Sequence, residues 1–217
     1  MNTHKGLFVV MSGGEGSGKS SQLKNIQNAY GSSVLVTREP GGSLYAEEIR
    51  KIILDSKQAK QADATTMFFL FWAARADHMK NIIIPALNKG MLVVSDRFEP
   101  ETFAYNIVAQ KNRSLEKLYW EIRDMVLGDY KPDLYIYLDL HPKVGLLRKQ
   151  NQIEEKKNHY DERDIGFHDD VRMGFMEFFS HKNRGINSVI VNAEKSQDEV
   201  WREVKKASQS LISYKTR

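Results

Sequence analysis

Cysteine is absent from this sequence of 217 residues. Its absence excludes disulfide bonds and thiolate metal sites. A chain without disulfides suits a reducing compartment, and the first residues lack the basic and then apolar pattern of a secretory signal. We therefore expect a cytoplasmic protein.

Long uncharged apolar segments and a strong charge excess are also missing. The most hydrophobic helix candidate, residues 67–72, is soon followed by Arg75, Asp77, His78 and Lys80, so it is too short for a membrane span. The formal net charge of +4 is small against 32 basic and 28 acidic residues. We therefore expect neither a membrane nor a nucleic-acid partner, whereas a site for polyphosphates would explain the positive excess.

Short β-branched runs alternate with longer helical patterns, which predicts an α/β fold. The strand candidates are apolar without strict alternation, as expected for a parallel sheet covered by helices on both faces, and they lie at residues 7–12, 34–37, 91–95, 134–139 and 188–191. Helices are predicted at residues 20–30, 43–54, 65–88, 102–109, 115–127, 143–149, 169–181 and 197–213. No linker divides the chain, so we expect one domain over residues 1–217.

The most informative motif follows the first strand candidate and fits G-x-x-x-x-G-K-[ST]. Its glycines let backbone N–H groups turn inward around a phosphate chain, while Lys19 reaches the β- and γ-phosphates and the Ser20 hydroxyl can ligate Mg²⁺. The alternative is a glycine-rich turn that matches by accident. The residues predicted to bind ATP are Gly13, Gly14, Glu15, Gly16, Ser17, Gly18, Lys19, Ser20 and Ser21.

Three further segments carry candidate binding residues. Asp96 and Arg97 end an apolar strand, where Asp96 could hold magnesium and Arg97 could clamp a second phosphate; a structural ion pair is the alternative. Arg38 follows the second strand and lies near the same edge of the sheet, and an ordinary turn is the alternative interpretation of its segment. Phe71 and Arg75 share a helix face and could contact a base, although core packing is more common for such a pair.

A polar, charge-dense stretch at residues 150–164 separates two helix candidates. One interpretation is a disordered surface loop. The other is a mobile lid over the nucleotide site.

Taken together, these segments resemble the thymidylate kinase family, and specifically its bacterial form. They occur in the family's order through nearly the whole chain. Two motifs are specific to the family: Arg38-Glu39-Pro40-Gly41-Gly42, and Asp96-Arg97 with Ala104-Tyr105 downstream. The resemblance implies a P-loop NTPase fold, with a five-stranded parallel sheet flanked by helices and a mobile lid near residues 150–165. It also implies a homodimer that phosphorylates dTMP to dTDP with ATP and Mg²⁺, in dTTP biosynthesis.

The resemblance also implies roles for single residues. Phe71 is similar to the ring that stacks on thymine, Arg75 to the donor to its O4 edge, Arg97 to the clamp on the acceptor phosphate, and Tyr105 to the ring that favours deoxyribose. Glu15 corresponds to the acid that meets the sugar 3′-hydroxyl. The substrate-binding set is Glu15, Arg38, Pro40, Phe71, Arg75, Arg97, Thr102, Tyr105 and Asn106, and the metal set is Ser20 and Asp96.

Catalysis by such an enzyme is mainly positioning and electrostatic stabilisation of the transferring phosphoryl group. The phosphate loop contains no arginine, so besides Lys19 and Arg97 we expect a cation from the lid region, with Arg163 first and Arg148 among the alternatives. The remaining candidates are Lys149, Lys156 and Lys157.

Two residues depart from the family pattern in the base pocket. Glu101 stands where relatives usually have a small hydroxyl residue, and Asn106 stands where a glutamine commonly contacts thymine. The alternative function is therefore another P-loop kinase, acting on a different nucleoside monophosphate or on a deoxynucleoside. A P-loop switch protein would be expected to carry a guanine-reading Asn-Lys-x-Asp motif, which this sequence lacks.

Overall fold

Five parallel strands and nine α-helices occupy the described part of a computed structural model, residues 5–150, 160 and 163–215. The strands are β1 (Leu7–Gly13), β2 (Val34–Arg38), β3 (Leu92–Asp96), β4 (Leu134–Asp139) and β5 (Ser188–Asn192). The helices are α1 (Lys19–Tyr30), α2 (Leu44–Leu54), α3 (Ala64–His78), α4 (Ile84–Asn88), α5 (Glu99–Thr102), α6 (Glu116–Leu127), α7 (Pro142–Gln150), α8 (Ile165–Ser180) and α9 (Gln197–Lys215).

The sheet has the strand order β2-β3-β1-β4-β5, and every pair is parallel. Met11 on β1 lies opposite Asp96 on β3, and Arg38 on β2 lies opposite the same residue. The carboxyl ends of β1, β2 and β3 therefore meet at one edge of the sheet. Ligands of open α/β sheets bind at this edge.

Successive residues of β1 enter two different cores, because side chains alternate across a strand. Phe8 and Val10 pack with residues of α3, α6 and α8, whereas Val9 and Met11 pack with residues of α1 and α9. Both faces of the sheet are covered, which explains why its strands are apolar without alternation. The predicted fold class, with five parallel strands flanked by helices, is confirmed.

One predicted helix, residues 65–88, is interrupted. A π-helical stretch, Met79–Ile83, separates α3 from α4 and directly precedes the turn that contains Pro85. Proline has no amide hydrogen to donate to the preceding turn, which favours a local change in the hydrogen-bond pattern. The predicted end of the helix is right, since Gly90 follows it with a φ of 81°.

Two other helix predictions need correction. Residues 103–109 form a second π-helical stretch, Phe103–Ala109, rather than a regular α-helix. α8 begins at Ile165, four residues before the predicted start, because the Asp164 carboxylate accepts a hydrogen bond from the Phe167 amide at 2.9 Å and caps the helix. Within the described residues, no helix is both long enough and apolar enough to cross a membrane.

Candidate active site

The phosphate loop leaves β1 at Gly13 and enters α1 at Lys19. Gly16 has a φ of 67°, and a Cβ atom there would lie 2.2 Å from the carbonyl oxygen of Gly145 on α7. Only glycine fits a backbone with this conformation and this close approach. The sequence motif therefore corresponds to a loop held tightly against α7.

Lys19 is buried and folds back over the loop. Its Nζ donates to the carbonyl oxygens of Gly13 at 2.8 Å and Gly14 at 3.0 Å. Burial lowers the pKa of Lys19, and repulsion from Arg97 lowers it further. The ammonium group therefore lies at the start of the phosphate loop.

A pocket lies along the outer side of the loop. Arg148 on α7 borders it and donates from NH1 to the carbonyl oxygen of Ala193 at 2.9 Å. The N-terminus of α1 also borders it, and unpaired N–H groups there favour an anion. The pocket is lined by Gly16, Ser17, Gly18, Lys19, Ser20, Ser21, Gln22, Arg148, Ala193, Glu194, Lys195, Ser196, Gln197 and Val200. It contains most of the predicted ATP-binding residues, together with Arg148.

Arg97 has a left-handed backbone, with a φ of 66°, which is strained for any residue other than glycine. Its amide donates to the Met11 carbonyl at 2.9 Å, and its own carbonyl accepts from the Ser95 hydroxyl at 2.7 Å. These bonds hold the turn after β3 against the end of β1. They direct the guanidinium of Arg97 towards the phosphate loop.

Glu15 in the loop forms ion pairs with two basic side chains. Arg97 NH2 donates to its Oε1 at 2.7 Å, and Lys149 Nζ donates to its Oε2 at 2.8 Å. Burial opposes ionisation of this carboxyl, but attraction to Arg97, Lys19 and Lys149 outweighs burial and holds the pKa of Glu15 well below its ordinary value. Glu15 is therefore a fixed negative charge that orients Arg97.

A second pocket opens beside Glu15 and Arg97. It combines charged side chains with aromatic rings, and it is lined by Glu15, Glu39, Pro40, Arg50, Leu54, Phe71, Arg75, Arg97, Phe98, Glu101, Tyr105 and Tyr160. Glu15, Pro40, Phe71, Arg75, Arg97 and Tyr105, all predicted to bind substrate, are thus brought together. A cavity with an apolar wall and a few converging polar groups is typical of a small-molecule site.

Arg75 is held by a buried network. Its Nε donates to Glu39 Oε2 at 2.8 Å, and its NH2 donates to the Thr102 hydroxyl at 3.2 Å. His78 lies 3.0 Å from the other oxygen of Glu39 and 2.8 Å from the Thr37 hydroxyl. NH1 of Arg75 has no hydrogen-bond partner among the described residues, and this buried donor is available to a ligand in the pocket.

Three rings meet at the apolar wall of the second pocket. Tyr160 is buried, and its ring lies 6.5 Å from Phe71 and 5.5 Å from Tyr105 between centroids. A planar base could stack in this environment, because aromatic faces bind flat π-systems.

Several predicted residues of the described part of the chain lie outside both pockets. Arg38 is exposed and donates to both carboxylate oxygens of Glu47, at 3.2 and 3.1 Å. Asn106 is fully buried and outside the lining of the second pocket. Arg163 lies over the Phe167 ring, with its guanidinium carbon 4.3 Å from the ring centroid, and borders a separate surface depression. Lys156 and Lys157, two of the lid candidates, lie outside the described residues.

The two predicted magnesium ligands, Asp96 and Ser20, are both among the described residues. Asp96 Oδ1 is buried and has no hydrogen-bond partner within the described ranges. The hydroxyl-bearing Ser20 lies in the first turn of α1. No group of three or more His, Cys, Asp or Glu side chains that could hold a metal occurs in residues 5–150, 160 and 163–215. Such a donor set suits Mg²⁺ shared with phosphate oxygens rather than an all-protein cage.

Several residues of the second pocket were missed by sequence reasoning. Glu39 holds Arg75 and is itself contacted by His78 from behind the pocket lining, Arg50 donates to the Pro40 carbonyl at 2.6 Å, and Tyr160 forms part of the aromatic wall. The sequence could have indicated Tyr160, because it is the only Phe, Trp or Tyr in the polar stretch 150–164. Nothing in the sequence indicates the pairing of Lys149 with Glu15, since 134 positions separate the two residues.

A phosphate loop at the carboxyl edge of a parallel sheet, facing a second pocket across an acid and an arginine, defines a P-loop kinase for small molecules. Comparison with known proteins makes this class more specific. The model of the thymidylate kinase family matches residues 11–204. The chain belongs to the thymidylate kinase family.

Individual relatives match over most of their length. The thymidylate kinase of Bacillus cereus is 36% identical over 203 residues, which are 92% of this chain and 95% of that protein. The thymidylate kinase of Lactobacillus helveticus is 40% identical over 177 residues, which are 80% and 82% of the two chains. The crystal structure of thymidylate kinase from Ehrlichia chaffeensis has a TM-score of 0.72 at 26% identity, covering 94% of this chain and 98% of that one.

Proposed function

We propose that this chain, as one kinase domain, transfers the γ-phosphoryl group of ATP to dTMP and produces dTDP for dTTP biosynthesis. The observation that carries the proposal is the second pocket, which brings Phe71, Arg75 and Tyr105 together with Arg97 beside the phosphate loop. A base, a sugar and a phosphate match this set of groups.

The donor nucleotide occupies the pocket along the outer side of the loop. Backbone N–H groups of residues 13–18 and Lys19 Nζ surround its phosphates, and the N-terminus of α1 adds the favourable end of a helix dipole. Lys19 leaves its present carbonyl partners for the phosphates, which are stronger acceptors because they are charged. Arg148 borders the same pocket and contacts the donor.

Magnesium is bound by Ser20 and Asp96, directly or through water. The proposal is supported by the unpartnered, buried Oδ1 of Asp96, since a metal or its water would satisfy that atom. Bound Mg²⁺ neutralises charge on the phosphates of the donor.

The acceptor phosphate binds to Arg97, whose fork of donors suits two phosphate oxygens. Glu15 keeps the guanidinium in place before the acceptor arrives and is positioned near the sugar. At the far end, Phe71 stacks on thymine and NH1 of Arg75 donates to its O4 edge, while Tyr105 excludes a 2′-hydroxyl. Pro40 and Thr102 support this pocket, and Arg38 and Asn106 assist from its surroundings.

The acceptor phosphate is already an anion, so the chain needs no strong general base. Its residues bring two polyanions together in line and stabilise the charge that spreads over the transferring group. The lid proposed near residues 150–165 lies largely outside the described residues, and its described residue Arg163 supplies an additional cation to the donor. Arg163 is exposed and held to Phe167 by a cation–π contact, which is weak enough to exchange for a phosphate.

The enzyme acts as a homodimer in the cytoplasm. Support for the dimer comes from apolar side chains that remain exposed on two neighbouring helices, Ile52 on α2 at 53% and Phe69 on α3 at 49%. Light scattering that gave a monomer mass at micromolar concentration would argue against it. Support for the compartment is the lack of cysteine.

The direct test is product analysis. The purified chain is incubated with ATP, Mg²⁺ and dTMP, and nucleotides are separated by anion-exchange chromatography. We expect dTDP and ADP to appear in equal amounts. ADP without dTDP would contradict the assigned acceptor and indicate hydrolysis or a different substrate.

A further inference from the structure

Glu101 is a buried acid in the wall of the second pocket, only 8% exposed. Its Oε2 accepts hydrogen bonds from the Phe98 amide at 3.0 Å and from the Ser12 hydroxyl at 3.2 Å. Ser12 immediately precedes the phosphate loop, and Phe98 immediately follows Arg97. One carboxyl oxygen thus connects the start of the loop to the turn that carries the phosphate clamp.

This connection bears on the strained backbone of Arg97. The turn is fixed before Arg97 by the bond from its amide to the Met11 carbonyl, and after Arg97 by the bond from the Phe98 amide to Glu101. A left-handed arginine persists only when its surroundings over-determine it. Glu101 therefore helps to maintain the conformation that directs the guanidinium.

The second oxygen of Glu101, Oε1, has no hydrogen-bond partner among the described residues. Burying a charged oxygen without a partner is unfavourable, so the neutral acid is favoured there. Burial raises the pKa of Glu101 to about 7, although Arg97, the Phe98 amide and Lys19 favour the ionised form. Asp96 opposes ionisation, and Tyr105 is the other titratable group that interacts with this carboxyl.

We propose that Glu101 is a further acceptor-site residue, which in its neutral form donates a hydrogen bond from Oε1 to the acceptor phosphate while Oε2 fixes the Arg97 turn. The inference rests on the proposed function, because it needs a nucleoside monophosphate in the second pocket. An ionised Glu101 would instead present a carboxylate to a phosphate dianion. Acceptor binding is therefore linked to uptake of a proton.

The test is the affinity for dTMP by calorimetry at pH 7.0 and pH 8.5, in the parent and in Glu101→Gln. The amide of glutamine accepts the same two bonds and donates to phosphate, but it does not titrate. In this window the phosphate remains a dianion, since its second pKa is about 6. With a pKa near 7 in the free protein, linkage predicts that the parent loses affinity about fifteenfold between the two pH values.

The affinity of Glu101→Gln for dTMP is expected to change less than about twofold over the same pH range, because the group that titrates in the parent has been removed. Lys19, whose pKa is lowered chiefly by burial, is present in both proteins. Glu101→Ala loses both hydrogen bonds of Oε2 and should bind weakly at both pH values. Circular dichroism confirms that each variant is folded.

A second readout does not depend on any variant. Calorimetry of the parent at pH 7.0 in two buffers of different ionisation enthalpy should show uptake of about half a proton per dTMP. Equal pH dependence in the parent and Glu101→Gln, or no proton uptake, would overturn the role of Glu101 while leaving the proposed function intact. A folded parent that binds no dTMP at either pH would instead overturn the proposed function.

Discussion

Replacing Glu39 by glutamine tests whether the base end of the second pocket is organised by a buried ion pair. The side chains of Arg75 and Glu39 are only 1% and 3% exposed, and Nε of Arg75 lies 2.8 Å from Oε2 of Glu39. Removing one partner of a buried pair leaves an uncompensated charge and costs about 3–5 kcal/mol. Glutamine keeps one oxygen that can still accept the hydrogen bond from Arg75, so we expect the lower end, about 3 kcal/mol.

For a chain of this length, such a loss lowers Tm by about 6–12 °C. Calorimetric or circular-dichroism melting measures this change, and steady-state kinetics should show a higher KM for dTMP with little change in the KM for ATP. The matched control is Glu203→Gln, because Glu203 pairs with Lys195 at 2.7 Å on the surface, where both side chains are about two-fifths exposed. Exposed pairs contribute little, so Tm of the control should hardly change. Equal Tm values for the two variants would refute the reasoning.

Three further changes probe the phosphate end of the site. Lys19→Ala should lower kcat at least a hundredfold, as for the loss of one charge-stabilising donor, with an unchanged circular-dichroism spectrum; a retained kcat would remove Lys19 from the mechanism. Arg163→Ala should lower kcat by a similar factor while dTMP affinity stays near the parent value, whereas loss only in Arg148→Ala would move that role to Arg148. Gly16→Ala should destabilise the fold by about 1–3 kcal/mol, because its φ is 67° and its Cβ would clash with α7. Gly14→Ala is the control, since a Cβ there meets nothing within 4 Å, and equal unfolding free energies would contradict the steric argument.

The strands and the phosphate loop were predictable because local patterns determine them. All five predicted strands agree with the structure to within about one residue at each end, since apolar β-branched runs of this length suit a sheet buried on both faces. The loop follows from glycines whose conformation few other residues adopt. Local sequence also explains the start of α9, where Ser196 and Glu199 form a capping box, with the Glu199 amide 3.4 Å from Ser196 Oγ and the Ser196 amide 3.1 Å from Glu199 Oε2.

Interactions between distant segments could not be predicted in the same way. Lys149 was a candidate for a cation on a lid, but its Nζ forms an ion pair with Glu15, far away in the sequence. The sequence shows Glu101 only as a departure from the family pattern, and its burial, which raises its pKa to about 7, appears only in the structure. Burial is set by tertiary packing, so neither result could be obtained from spacing or composition.

Acceptor selectivity tests the central claim most directly. The measurement is kcat/KM from ADP release with ATP and Mg²⁺, over dTMP, dUMP, UMP, CMP and AMP at one pH. The account predicts the highest value for dTMP, and a much lower value for UMP than for dUMP because Tyr105 lies buried in the pocket wall at the proposed sugar position. A higher kcat/KM for UMP, CMP or AMP than for dTMP would contradict the account.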